Sequence, residues 1–167
     1  AGSCIAVAAD SICNGAGAAS GAVAQLLVAE RAAEAPAPHR SMVFAWLGAE
    51  EPGSLGLRWF LAHPPVPIDS IVAAIGIGPV GHGTPDSLGA AGIREYAPDL
   101  VQVADSVARS EASPFTLAGR FERLDDPRRG YCRTPAAGLA VAGIPSITLF
   151  GERYPEFRRA DDGAALI

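Results

Sequence analysis

The chain has 167 residues, 49% of them hydrophobic, and sets 13 basic against 18 acidic side chains for a formal net charge of −5. A chain of this length buries roughly 70% of its extended surface on folding, enough for one compact soluble domain over residues 1–167 without disulfide or metal staples. Every basic residue is arginine, which excludes a Schiff-base lysine and a P-loop lysine, and an acidic balance with no basic block argues against nucleic-acid and anionic-membrane partners.

In chain order, Ser20–Glu34 carries Val23, Leu26, Leu27 and Val28 at helical spacing, with Glu30, Arg31 and Glu34 on other faces. Pro36 and Pro38 end that helix. Ser41–Leu47 is a short continuous apolar run bounded by charge and Gly48, the pattern of a central parallel strand buried on both faces. Leu55–His63 reads as a short helix closed by Pro64 and Pro65, and Ile68–Ile77 as a second buried strand. Gly81–Gly92 reads as a glycine-rich loop. Pro98–Arg109 has proline in its first turn, Asp99 at the positive helix end, and Leu100, Val103 and Val107 on one stripe, so it predicts a helix. Asp125–Gly130 reads as a polar turn, Pro135–Ala142 as a helix and Ile144–Phe150 as a third buried strand. Strands alternating with helices give an α/β fold, a three-layer αβα sandwich with a mainly parallel central sheet.

Cys4, Cys13 and Cys132 are too few and too scattered for a disulfide framework or a cysteine-rich zinc site. Apolar runs reach about eight residues, short of the roughly 18–20 of a membrane span, and no signal segment leads the chain. A first residue of Ala1 rather than methionine is expected of a trimmed product or of part of a longer protein.

The densest chemistry lies in Leu47-Gly48-Ala49-Glu50-Glu51-Pro52-Gly53-Ser54-Leu55-Gly56, two adjacent carboxylates at the carboxyl end of an expected strand, where open α/β sheets place their sites. Adjacent residues leave a strand end in different directions, so one carboxylate can coordinate a cation while the other moves a proton; equally, Glu-Glu pairs are common in solvated loops. His82 follows the second strand as a possible acid/base partner or a solvated loop histidine. Cys13 and Cys132 are nucleophile candidates or buried structural thiols, with no His-Asp pattern beside them. His39 and His63, beside prolines, read as structural, and the Gly15–Ala19 run is a weak phosphate-turn pattern.

The run Ala49-Glu50-Glu51-Pro52-Gly53-Ser54-Leu55-Gly56-Leu57-Arg58-Trp59-Phe60, then His63-Pro64-Pro65-Val66-Pro67, resembles the A-E-E-Q-G-L-L-G-S-R-x-F…H-P-P-V-P segment of the M28 family of zinc-dependent aminopeptidases. Upstream, Asp10-Ser11-Ile12-Cys13-Asn14-Gly15-Ala16 is similar to the D-S-I-Y-N-G-A that precedes the family's D-D-N-A-S-G. Downstream, Ile71–Ile75 is similar to the strand before N-L-D-M-x-G. Gly130-Tyr131-Cys132-Arg133 with Ala142-Gly143-Ile144-Pro145 is similar to Y-x-R-S-D-H-x-x-F-x-x-A-G-V-P, and Tyr154–Asp162 to the closing Y-H-x-P-x-D.

The resemblance implies an M28 peptidase-like fold, shortened at the amino end by one or more strands, with a sheet edge left open to a protein partner or a second copy. It also implies a site of two zinc ions held by two histidines and three carboxylates, with a further glutamate as general base. Position by position, the bridging aspartate falls in Gly17-Ala18, the second aspartate at Gly78, the last histidine at Arg158, and the first histidine before Asp10; S-D-H becomes Thr134-Pro135-Ala136. Glu50 stands at the general-base position and Glu51 at a ligand position, while Tyr131 and Arg133, with Cys132 between them, stand where the family approaches its substrate. The expectation is a domain with no metal ligand set and no cofactor, binding a small-molecule or peptide-like ligand or a partner protein at the former peptide pocket. One alternative is a metal-independent enzyme with Glu50 as general acid or base and Arg158 supplying the charge of the lost zinc. Another is a metallopeptidase completed by a second chain.

Overall fold

The computed structural model describes residues 15–49, 53–83, 86–92, 96–117, 134–151, 155–156 and 161–163, with the side chains of 15–18 excepted. Its elements in order are helix α1 (Gly15–Glu34), helix α2 (Leu55–Ala62), a 3-10 turn (Ile68–Ser70), strands β1 (Ala74–Ile77) and β2 (Ser87–Gly92), helix α3 (Pro98–Ala108), strand β3 (Thr116–Leu117), helix α4 (Pro135–Val141) and strand β4 (Ser146–Phe150). The four strands form one sheet in the order β1-β4-β2-β3. β4 runs parallel to β1 and antiparallel to β2, and β3 runs parallel to β2. This is the expected mainly parallel α/β architecture, with β4 and not the 41–47 run at its centre.

β4 holds the core because its β-branched sequence suits a pleated surface with neighbours on both edges. Ser146, Ile147 and Thr148 are all buried, as are Ala91, opposite Thr148 on β2, and its neighbour Ala90. Alternation along the strand sends Ser146, Thr148 and Phe150 to one face and Ile147 and Leu149 to the other. α4 covers the first face: Ala91, Ala136, Ala137, Ala140 and Phe150 pack together, and the Ser146 hydroxyl donates to the Ala136 carbonyl at 2.7 Å. α3 packs against β3 and β4, with Val101 fully buried.

α4 ends in a left-handed cap that delivers the chain into β4. Gly143 takes φ +83°, its amide donates to the Ala140 carbonyl at 2.9 Å, and the Ile144 amide donates to Leu139 at 3.0 Å. These two bonds satisfy the helix's last carbonyls and turn the buried Ile144 inward.

Three expected elements differ. Among the described residues Ser41–Leu47 pairs with no strand; it lies along α1, where the Gln25 side-chain amide donates to the Ala45 carbonyl (3.1 Å) and the Trp46 indole donates to the Ala22 carbonyl (3.2 Å). An apolar run specifies a tendency to burial but not a ladder partner, and here helix side chains take up the contacts. Met42, Val43 and Trp46 are accordingly about half exposed, as are Val23, Leu26, Leu27 and Val28 of α1, whose stripe is not covered by the sheet. The Ile68–Ile77 strand is confined to Ala74–Ile77, because Ser70 and Ile71 close a 3-10 turn onto Pro67 and Ile68. Its outer position leaves Ile75 59% exposed. The Gly81–Gly92 loop contains β2: small residues let Gly89 lie under the Phe150 ring and Gly92 against Ile147, packing that composition alone disguised as a loop.

Candidate functional site

Because β1 and β4 are parallel, their carboxyl ends lie side by side. The Gly78 amide donates to Leu149 (2.7 Å) and the Gly151 amide donates to Pro79 (2.6 Å), so the sheet opens there into two adjoining turns. α1 reaches the same end. The Val80 amide donates to the Ser20 hydroxyl at 3.1 Å, and Gly21 rests on the β1 terminus, where a Cβ at Gly21 would stand 2.5 Å from the Gly78 carbonyl oxygen and 2.8 Å from that of Ile77. Only glycine permits that approach.

The 41–49 segment arrives beside them. Contacts from Gln25 to Ala45 and from Trp46 to Ala22 show that it advances toward the amino end of α1. A closed turn follows: the Leu55 amide donates to Ala49 (2.9 Å) and the Gly56 amide to Gly48 (3.0 Å). Three residues around it are left-handed, Ala49 at φ +54°, Gly53 at +96° and Ser54 at +56°. For Ala49 and Ser54 this conformation costs about 1–2 kcal/mol each, because Cβ crowds the following carbonyl. α2 can start so close to the extended segment because Gly56 has no side chain: a Cβ there would meet the Gly48 nitrogen at 2.8 Å. A small cavity beneath this turn is lined by Leu47, Gly48, Ser54, Leu57 and Pro135, so the start of α4 adjoins the same place.

Of the site residues expected from the sequence, His82 is described. It is partly buried in the turn after β1, with its Nε2 shielded from solvent, and its carbonyl lies against Gly151, where a Cβ would meet it at 3.0 Å. It therefore belongs to the carboxyl end of the sheet. Glu50, Glu51, Tyr131, Cys132, Arg133 and Arg158 lie outside the described residues, as do Cys4, Cys13 and Tyr154. Described neighbours of two of these segments meet at the small cavity, since Gly48 and Ser54, on either side of residues 50–52 in sequence, line it together with Pro135, which follows Arg133 by two residues. His63 stacks on Trp59 with ring centroids 4.8 Å apart and its Nδ1 lies 3.2 Å from the Trp59 carbonyl, in keeping with a structural role.

Sequence reasoning did not single out Asp162, which is 2% exposed. It is engaged by other groups, as a buried carboxylate must be. The signal was its position at the end of the Tyr154–Asp162 resemblance, where burial is invisible to composition. Gly78, where the resemblance implies an aspartate ligand, offers only backbone, and its carbonyl already lies beneath Gly21. Among the described residues no group of three or more His, Cys, Asp or Glu side chains is gathered as a metal ion requires, and no helix is long and apolar enough to cross a membrane.

The family model described as Peptidase family M28 matches residues 9–162, and the chain belongs to that family. No curated protein and no solved structure matches it.

Proposed function

We propose that this M28-family domain works without zinc and without peptidase activity, and that it uses the carboxyl end of its sheet, or the surface around it, to bind a small molecule or a partner protein. Gly78 carries the reading. It closes β1 where the family resemblance implies a carboxylate ligand, and it supplies no donor. Zinc takes about four donors, and Glu51 alone among the positions carried over from the family does not hold an ion at useful affinity. The test is hydrolysis of an aminoacyl p-nitroanilide by the purified protein with excess zinc. No turnover above the blank is expected. Zinc-dependent turnover that Glu50→Gln removes overturns the proposal.

One observation favours a second reading, a metal-independent enzyme with Glu50 as general acid or base and Arg158 in place of the zinc charge. In sequence Glu50 and Glu51 fall between the left-handed Ala49 and Ser54, and non-glycine strain of this kind clusters at functional sites. Turnover of a small metabolite by the zinc-free protein, abolished by Glu50→Gln, would support it; ligand or partner binding that survives Glu50→Gln supports the first reading.

A further inference from the structure

We draw no further inference here: the strongest candidate, the exposed apolar face formed by α1 and the adjoining 41–47 segment around Val23, Leu27, Met42 and Trp46, carries nothing because no feature of the structure shows what covers it.

Discussion

Gly21 of α1 rests on the carbonyl of Gly78 at the end of β1, a backbone-on-backbone contact with room for no side chain. It fixes the amino end of the helix to the carboxyl end of the sheet, and the Ser20–Val80 hydrogen bond adjoins it. Gly21→Ala gains about 1 kcal/mol of helix propensity. It also drives a methyl into two carbonyls that cannot rotate away, so the net effect is a loss of about 1–3 kcal/mol. Urea unfolding should show a lower midpoint at unchanged slope, whereas a midpoint equal to or above wild type would mean α1 does not sit on β1 this way.

Two buried hydroxyls on one face of β4 should respond in opposite directions. Ser146 donates to the Ala136 carbonyl at 2.7 Å, and Ser146→Ala removes that bond and leaves a buried acceptor, costing about 1–3 kcal/mol. Thr148, 4% exposed, has no hydrogen-bond partner for its hydroxyl among the described residues. Thr148→Val keeps the shape and removes an uncompensated polar group, so it should be neutral or stabilising by up to about 2 kcal/mol. Calorimetric melting of the two variants checks the pair; equal destabilisation by both would contradict it.

Ala49, which immediately precedes Glu50 in sequence, is held at φ +54°. Glycine there relieves about 1–2 kcal/mol of left-handed strain. It adds about 0.5–1 kcal/mol of unfolded-chain entropy. Ala49→Gly should therefore raise stability by roughly 0.5–1 kcal/mol, the reverse of an ordinary alanine-to-glycine change. Thermal denaturation decides it, and a loss of stability would show that Ala49 is not left-handed.

Helices were the legible part of the fold. Pro98–Ala108 and Pro135–Val141 begin at prolines that tolerate the first turn, and local signals of this kind need no partner to be read. Strands were less so, because pairing is a long-range choice. The apolar Ser41–Leu47 advertises burial as strongly as Ser146–Phe150 does, yet only the latter is flanked by strands on both sides. Small residues misled in a different way: Ser87–Gly92 lacks the bulk that marks a strand because Phe150 and Ile147 occupy that space. At the site, the sequence pointed to Glu50 and Glu51, which lie outside the described residues, and to His82, whose carbonyl lies against Gly151 at the sheet's carboxyl end. It missed the burial of Asp162, since an acid beside Asp161 in a polar stretch resembles a solvated one until the chain is folded.

The zinc content of the purified protein after loading with excess zinc and dialysis, read by elemental mass spectrometry, tests the central claim most directly. The account predicts less than about a tenth of an equivalent, because a metal is retained only where its donors exist. One or two equivalents would contradict it, and would mean that donors elsewhere in this chain or in a second chain complete the family's metal site.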